Sequence, residues 1–230
     1  MSPPASQSAA PPRHDGTSLA PAFVPCSLGQ AWFRLIEQTV QSGVCSDGEC
    51  REILGPQVSF SAETDGDPFL QRFGDQKMIA EMDKVFFAEG ANALGHSYAN
   101  LLRGPDLRSD LSDVIDLLRA EPHSKRAVAT LCGAGHGKVP CINLIQFLVR
   151  DGAVRVIYFA RGQDAYKKFY ADALCLAKMT RHVAGALHRP AGNVLGFLGS
   201  SHVYNKDLPA IADFLAAGKK FQSNPPERTV

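Results

Sequence analysis

The alternation of apolar and polar residues divides the chain into segments typical of helices and segments typical of strands. Apolar side chains at Trp32, Phe33, Ile36 and Val40 have the spacing of one helix face. The same spacing predicts four further helices. They cover 76–90, 110–122, 163–187 and 206–220.

Strand patterns occupy the centre and the end of the chain. Two β-rich runs, 141–149 and 153–159, flank Asp151-Gly152, a dipeptide typical of a hairpin turn. Further strands are predicted over 51–62, 127–133 and 192–204. Because helices and strands mix in this order without a repeat, we predict one mixed α/β (α+β) domain over residues 25–230.

Composition and charge narrow the classes of protein that remain. Residues 1–24 are rich in proline, alanine and serine, which predicts a disordered leader rather than a secretory signal. The 24 Lys and Arg against 23 Asp and Glu provide no overall field for nucleic acid or a membrane surface. Six cysteines without a secretory signal favour reduced thiols in a cytoplasm. Cys45 and Cys50 lack a matching pair, which favours loop thiols over a zinc site, so we predict no metal.

Several polar side chains could carry chemistry, although each has a simpler structural explanation. Cys141 directly follows a proline at the start of a predicted strand, where a thiol could face a cavity; taken alone, such a cysteine is more often packed in a core. Arg161 and Asp164 have the spacing of a surface ion pair at a helix start. His202 and Tyr204 share one strand face, which suits a core as readily as a site.

Taken in order, these motifs resemble those of the thymidylate synthase superfamily, which includes the pyrimidine-nucleotide hydroxymethylases. The similar stretches cover most of residues 30–215, and the ordered set is specific although each piece is weak. The matching positions are Arg51 with Gly55, Tyr98 in "LGHSYANLLR", Lys125-Arg126 in "EPHSKRAV", Pro140-Cys141, Gln146, Arg161-Gly162-x-Asp164 and His202-x-Tyr204. The resemblance implies the family's fold, a mixed β-sheet flanked by helices, and a homodimer through that sheet with shared active sites.

The resemblance also implies a reaction. A thiolate that adds to carbon 6 of a pyrimidine makes carbon 5 nucleophilic towards a one-carbon unit. Cys141 is the expected nucleophile, with its thiolate favoured by nearby arginines. The implied co-substrate is 5,10-methylenetetrahydrofolate, and Tyr98 is the implied active-site tyrosine.

The implied substrate is a nucleoside monophosphate. Arginine side chains match phosphate oxygens with two parallel hydrogen bonds, which a lysine cannot form. By resemblance, Arg51 and Arg161 hold the phosphate within one subunit. Lys125 and Arg126 reach the same phosphate from a partner subunit, with Lys125 standing where the family has arginine.

Other matching positions surround the sugar and the base. His202 and Tyr204 correspond to the pair that hydrogen-bonds the sugar hydroxyl, and Gln146 and Asp164 to polar positions around the base. Gly162 stands where the family motif has serine. The lost side chain leaves room for a 2′-hydroxyl, which favours CMP over dCMP.

Asp172 falls on the position of the asparagine with which thymidylate synthases bind uracil. An asparagine pairs with ring nitrogen 3 and the 4-oxo group of uracil. A carboxyl group instead accepts from the amino group of cytosine and shares a proton with its nitrogen 3. The family's cytidylate hydroxymethylases also have aspartate here, so the sequence predicts a cytosine nucleotide.

Proton transfer and the folate contact are less clearly marked. The family uses a glutamate on the helix after its arginine loop; Glu81 is the better match and Asp83 the reserve, because the local alignment slips by two. The segment that contacts folate in thymidylate synthases is replaced by "YKKFYAD" over 166–172. Folate use therefore follows from the resemblance rather than from a motif.

The sequence thus predicts a cytidylate 5-hydroxymethyltransferase, in which water adds to the methylene intermediate. Enzymes of this kind occur in nucleoside-antibiotic pathways and in phages that modify cytosine. Two alternatives stay open. One is a pyrimidine nucleotide methylase of thymidylate synthase type; the other is a nucleotide-binding homologue without turnover. We expect no nucleic acid and no membrane among its partners.

Overall fold

A computed structural model of the chain describes residues 25–45, 48–88, 98–99, 110–131 and 139–224. The leader predicted over 1–24 and the helix end predicted at Gly90 lie outside the described residues. Within the described ranges, every helix is too short or too polar to cross a membrane.

The regular elements alternate along the chain. The helices are α1 (Leu28–Ser42), α2 (Pro68–Phe73), α3 (Gln76–Phe87), α4 (Asp110–Ala120), α5 (Phe169–Ala186) and α6 (Leu208–Ser223). The strands are β1 (Cys50–Leu54), β2 (Gln57–Ser61), β3 (Val128–Thr130), β4 (Ile142–Arg150), β5 (Ala153–Ala160), β6 (Gln163–Asp164), β7 (Ala191–Leu198) and β8 (Ser200–Tyr204).

Five strands form the larger sheet, in the order β2-β7-β5-β4-β3. The β5 and β7 strands are parallel, and the other neighbours are antiparallel. The β4–β5 hairpin turns at Asp151 and Gly152, whose φ angles of 53° and 76° are the left-handed values that such a turn requires. The hairpin predicted from the sequence is therefore confirmed.

Three strands form the smaller sheet, in the order β1-β8-β6, and Gly199 joins it to the larger one. The Gly199 amide donates to the carbonyl of Ala160 at 2.7 Å. A Cβ at this position would lie 2.7 Å from the carbonyl oxygen of Arg161, too close for any other residue without a backbone shift. The strand predicted over 192–204 is consequently two strands in two sheets.

Helices α1, α3 and α5 pack over the sheets and enclose the core. The indole Nε1 of Trp32 on α1 donates to the carbonyl of Ala165 at 2.9 Å. The Trp32 ring lies 4.2 Å from that of Tyr170 and 4.8 Å from that of Phe214, measured between centroids. This aromatic cluster fixes the entry to α5 against α1 and α6.

The helix predicted over 163–187 begins later than expected, at Phe169. Gln163 and Asp164 instead pair with Ser201 and His202 of β8. The Asp164 carboxylate accepts from the amides of the two residues that follow Ala165, at 3.0 and 2.9 Å, and so forms a turn before the helix. Arg161 and Asp164 therefore do not stand together at a helix start as expected.

The larger sheet has one face against the helices and one turned away from them. Along β4 and β5, fully buried side chains alternate with less buried ones. On the outer face, Phe159 is 42% exposed and its neighbour Phe197 on β7 is 38% exposed. Leu144 and Ile157 lie on the same face, which is thus apolar as well as accessible.

The mixed α/β class predicted from the sequence is confirmed, with two mixed sheets flanked by helices.

Candidate active site

Cys141 lies between a proline and the first residue of β4, as the sequence predicted, and its side chain is half-buried. Arg161, just beyond the end of β5, fixes this position. Its amide donates to the carbonyl of Cys141 at 2.8 Å. Its guanidinium donates through Nε to the carbonyl of Pro140 at 3.1 Å and through Nη2 to that of Val139 at 2.8 Å. One arginine thus holds the backbone on which the thiol is presented.

The charges around Cys141 oppose one another. Burial raises the pKa of the thiol, and the negative charge of Asp172 raises it further, whereas Lys168 and Arg161 lower it. The net shift is upward, because desolvation of a thiolate outweighs two cations at this depth. As expected, the charge of Arg161 favours the thiolate. Burial outweighs this effect, so the resting group is the neutral thiol.

Asp172, in the first turn of α5, is only 3% exposed. Its Oδ2 accepts a hydrogen bond from Nε2 of Gln163 on β6 at 2.9 Å, and Gln163 is itself 2% exposed. Burial raises the pKa of the Asp172 carboxyl, while Lys168 and the Gln163 amide lower it to a smaller extent. Asp172 is therefore a buried acid and not a solvated helix residue.

The Asp172–Gln163 pair leaves two polar atoms without a hydrogen-bond partner among the described residues. They are Oδ1 of Asp172 and Oε1 of Gln163, both wholly buried. An unsatisfied buried polar atom costs about 1–3 kcal/mol, so two on one hydrogen-bonded pair form an arrangement that a ligand would complete.

Tyr98 lies close to the same group of residues. Its hydroxyl accepts a hydrogen bond from the amide of Ile142, the residue after Cys141, at 3.2 Å. Its ring stacks on that of Phe86 with centroids 4.3 Å apart. Burial and the charges of Asp172 and Cys141 raise the pKa of the hydroxyl, which holds it protonated as a donor.

The β6 and β8 strands bring the predicted sugar and base residues side by side. His202 pairs with Asp164 in register, and the His202 and Tyr204 rings meet edge to face at 5.5 Å between centroids. Burial raises the pKa of Tyr204, and the charges of nearby groups, Asp164 first among them, raise it further.

Arg51 lies on β1 and pairs with Val203 of β8, the residue after His202. Its guanidinium Nη1 donates to the carbonyl of Val40 at the end of α1, at 3.4 Å. Gly162 lies between Arg161 and β6, and a Cβ built there would meet no described atom within 4 Å. The serine of the family motif would therefore fit here, and its absence leaves space.

Three predicted site residues gather elsewhere, next to the β3–β4 edge of the larger sheet. The Gln146 amide donates to the carbonyl of Lys125 at 2.8 Å. Arg126 forms an exposed ion pair with Glu121, with Nη2 at 2.7 and 2.9 Å from the two carboxylate oxygens. The structure thus groups Gln146, Lys125 and Arg126 with one another rather than with the thiol.

The two candidate proton-transfer groups on α3 differ in their surroundings. Glu81 is exposed. Asp83 forms an ion pair with Lys178 of α5 at 2.6 Å, and its charge contributes to the raised pKa of Cys175, one turn from Asp172. The reserve candidate is therefore the one linked to the helix that carries Asp172.

Sequence reasoning missed two residues of this site. Gln163 occupies the variable position of the Arg-Gly-x-Asp motif. It lies on a strand of two residues that pairs with Ser201 of β8, and so short a segment shows no alternation of buried and exposed positions in the sequence. The sequence pattern places Lys168 inside a helix, whereas it precedes the first helical turn and its charge acts on both Cys141 and Asp172. The signal available in the sequence was a lysine close before the aspartate on the same predicted helix.

Proteins with similar sequences are named thymidylate synthases. No family model matches the chain. The chain is 26% identical over 199 residues to a protein named putative thymidylate synthase from Methanosarcina acetivorans, covering 82% of this chain and 92% of that protein. It is 24% identical over 199 residues to the protein of the same name from Methanosarcina barkeri, with the same coverage. It is 24% identical over 184 residues to the thymidylate synthase of Oenococcus oeni, covering 73% of this chain and 57% of that enzyme.

These similarities support the thymidylate synthase superfamily. The observed fold is consistent with a thymidylate synthase-like fold, as predicted. The relatives' names do not separate a hydroxymethylase from a methylase.

Proposed function

We propose that the protein is a one-carbon transferase that 5-hydroxymethylates a cytidine monophosphate, with CMP favoured over dCMP. The observation that carries the choice of cytosine is the buried Asp172 carboxyl, which presents one unpaired oxygen in the neighbourhood of a half-buried thiol. The relatives named thymidylate synthase support the broader class, a transferase that acts on pyrimidine nucleotides.

Cys141 is the nucleophile of the proposed reaction. The Cys141 sulfur forms a bond to carbon 6 of the cytosine, and the electron pair of the 5,6 double bond moves to carbon 5, which attacks the one-carbon unit. The carbon 5 proton is then lost as the bond between the one-carbon unit and the nitrogen of its donor breaks, so that the donor leaves as an amine with the electron pair of that bond. Water adds to the exocyclic methylene that results. The carbon–sulfur bond then breaks and returns the electron pair to sulfur. The net change is the gain of one formaldehyde unit.

Because the resting thiol is neutral, its proton must pass to a base during the attack, and Glu81 and Asp83 are the proposed candidates. Lys168 and Arg161 are the cations that favour the thiolate, while Asp172 opposes it as long as it is ionised. Sharing of a proton between Asp172 and ring nitrogen 3 of the bound base would remove that opposing charge. Substrate binding and activation of the thiol are coupled in this way.

The donor of the one-carbon unit is proposed to be 5,10-methylenetetrahydrofolate, which supplies the carbon that is transferred. The described residues offer no motif for it. In the segment 166–172, Tyr170 is buried and its hydroxyl accepts from the amide of Asp75 at 3.2 Å, so this segment is occupied in packing α5. The proposal of folate therefore rests on the resemblance, and the general base is either Glu81 or Asp83.

The remaining proposed contacts follow the family pattern. Arg51 and Arg161 hold the phosphate, and His202 and Tyr204 hold the sugar. The open space around Gly162 supports a ribose with its 2′-hydroxyl. Asp164 supports these contacts by fixing the turn that follows β6.

A homodimer is part of the proposal. The accessible apolar face of the larger sheet, with Phe159 and Phe197 side by side, is the surface that a second copy would cover. Gln146 lies on that face opposite Ile157, with Lys125 and Arg126 beside it, and the three would be brought to the site of the partner.

The methylase alternative is supported equally by the relatives named thymidylate synthase. It differs from the proposed reaction in reducing the methylene intermediate instead of hydrating it. One experiment separates the two readings. The purified protein is incubated with methylenetetrahydrofolate and each of CMP, dCMP, UMP and dUMP, and the nucleotides are analysed by mass spectrometry.

We expect CMP to gain one formaldehyde unit. A gain of a methylene unit would establish the methylase instead. Failure to modify any of the four nucleotides, with binding intact, would support a nucleotide-binding homologue without turnover and overturn the proposed function.

A further inference from the structure

The cytosine edge presents two groups at the positions that distinguish it from uracil. Ring nitrogen 3 is an acceptor, and the 4-amino group is a donor. Reading both requires two protein atoms. Asp172 has only one oxygen available for this task, because Oδ2 is engaged by Gln163 at 2.9 Å.

The second atom is already present on the same pair of side chains. Oε1 of Gln163 is wholly buried and without a partner among the described residues, as is Oδ1 of Asp172. An amide has one donor end and one acceptor end. The donor end of Gln163 faces Asp172, so its acceptor end has no partner among the described residues. A buried acceptor without a hydrogen-bond donor costs free energy.

We propose that Gln163 is a specificity residue for the base: its Oε1 accepts a hydrogen from the 4-amino group, while its Nε2 holds Asp172 so that Oδ1 meets ring nitrogen 3. This inference rests on the proposed function, whose substrate it specifies. In uracil, the 4-oxo group is an acceptor and would face Oε1 of Gln163, which is also an acceptor. Neither oxygen would then have a hydrogen-bond donor.

The backbone around Gln163 is suited to such a role. Gln163 is paired with Ser201 of β8, and its second neighbour Ala165 accepts a hydrogen bond from Trp32 at 2.9 Å. The Asp172 amide donates to the carbonyl of Lys168 at 3.0 Å. Both side chains are therefore anchored on elements that the core fixes, and their hydrogen bond sets the position of Oδ1 of Asp172 relative to Oε1 of Gln163.

The charge state of the acid agrees with this assignment. Groups that face Asp172 are Lys168, Asp164, Cys141, Tyr98, Tyr158 and Cys175. Burial dominates and raises the pKa of Asp172. A carboxyl that holds a proton on Oδ1 is a donor to ring nitrogen 3, so the amino group needs a separate acceptor, and Gln163 supplies it.

A double-mutant cycle between protein and ligand tests the inference. The ligands are CMP and the 2-pyrimidinone ribonucleoside monophosphate, which lacks the 4-amino group. The proteins are Cys141→Ser, which prevents covalent addition to either ring, and Cys141→Ser with Gln163→Met, which keeps the side-chain length and removes both polar atoms. Affinities are measured by isothermal titration calorimetry without folate.

In the Cys141→Ser protein, loss of the amino group should weaken binding about tenfold. In the Gln163→Met background the same loss should cost less than about twofold, because the acceptor is already absent. An equal loss in both proteins would show that Gln163 only supports Asp172 and would overturn the inference while leaving the proposed function in place.

A second variant guards against a folding defect. Gln163→Glu keeps an oxygen acceptor and places two carboxyl groups side by side, which then share a proton. It should retain the sensitivity to the amino group and move the pH dependence of CMP binding to higher pH. If Gln163→Glu becomes insensitive to the amino group while melting normally, the inference is wrong.

The wild-type nucleotide preference distinguishes this inference from the proposed function. If the unmodified protein binds UMP as tightly as CMP or more tightly, the assignment of Gln163 as the acceptor for the 4-amino group fails and the methylase alternative remains. If it binds no pyrimidine nucleotide at all, both fail together.

Discussion

The base end and the phosphate end of the candidate site are built in different ways. At the base end, Asp172 and Gln163 are almost wholly buried and joined by one hydrogen bond. At the phosphate end, Arg161 donates to backbone carbonyls before the thiol, and Arg126 is exposed and paired with Glu121. The first region lies within one chain and keeps two buried polar atoms without a partner among the described residues, whereas the cations of the second are engaged with other groups.

This difference separates selectivity from affinity. In the proposed function, buried groups that hold each other in place discriminate between bases, because no water is available to hydrogen-bond a mismatched base edge. To bind phosphate as proposed, the arginines would exchange their present partners for phosphate oxygens, or a second copy would contribute further cations. Substitutions at the base end should therefore change which nucleotide is bound, and those at the phosphate end how tightly any nucleotide is bound.

The largest effect should come from the thiol between the two regions. Cys141→Ser removes the nucleophile but neither set of binding groups, so product formation should fall by about 10³-fold or more. Calorimetry should find CMP affinity within about twofold of the parent protein. Turnover at an undiminished rate would remove Cys141 from the mechanism.

Asp172→Asn should move the base preference from cytosine towards uracil. An asparagine oxygen cannot donate to the unprotonated nitrogen 3 of cytosine but accepts from the protonated nitrogen 3 of uracil, so the ratio of CMP to UMP affinity should fall on the order of 10- to 100-fold. Asp116→Asn is the matched control, since Asp116 is exposed on α4 and lies in an ion pair with Arg119. An unchanged ratio in Asp172→Asn would mean that this carboxyl does not contact the base.

Arg126→Ala tests the phosphate end and the proposed sharing of sites. Affinity for CMP and UMP should fall together by about tenfold, with the base preference unchanged. Arg119→Ala is the control, because Arg119 is likewise exposed and ion-paired, with Asp116 at 2.7 Å. Equal affinities of the two variants would indicate that Arg126 lies outside the phosphate site.

Burial of the Asp172 carboxyl at the base end should also lower the stability of the folded protein, to an extent that depends on pH. Burial raises the pKa of Asp172 above its ordinary value of 3.8. The folded state then holds a proton that the unfolded chain releases, so this contribution to stability falls as pH rises through the window above 3.8.

Asp172→Asn removes this titration. Thermal melting should find the variant more stable than the parent by about 1 kcal/mol or more at neutral pH, with a smaller difference near pH 4. A difference that is constant across pH, or largest in acid, would contradict a raised pKa.

The smallest effect should come from Lys168. Its charge lowers the pKa of Cys141, so Lys168→Met should slow alkylation of Cys141 by iodoacetamide about threefold at a fixed, mildly alkaline pH. Peptide mass spectrometry identifies the alkylated cysteine. Lys167→Met is the control, since Lys167 is paired with Asp207 at 2.6 Å. Similar rates in the two variants would contradict a specific effect of Lys168.

Local signals predicted much of the fold. The Asp151-Gly152 turn and the strand that follows Cys141 depend on residues close in sequence, and both are confirmed. The start of α5 was wrong because Asp164 caps a turn and β6 pairs with a strand forty residues away, a contact that no local pattern records. Helix α2 was missed because six residues provide too few positions for a periodic signal.

The sequence could predict those residues of the site that belong to recognisable motifs. Cys141, Tyr98, Arg161 and Asp172 come together as the ordered motifs implied. Gln163 could not be recognised, since its role depends on which end of an amide faces a carboxyl across a turn. The sign of the thiol's pKa shift could not be predicted either, because it is set by burial against two cations.

Gly199 carries a mechanical consequence. The chain passes there from one sheet to the other, with no room for a side chain, and the adjoining hydrogen bonds run from Gly199 to Ala160 and from Ser200 to Arg161. The amide of Arg161 in turn holds Cys141. Through these hydrogen bonds, a tilt of one sheet relative to the other would act on the backbone that presents the Cys141 sulfur, so the direction of that sulfur depends on this junction of the two sheets.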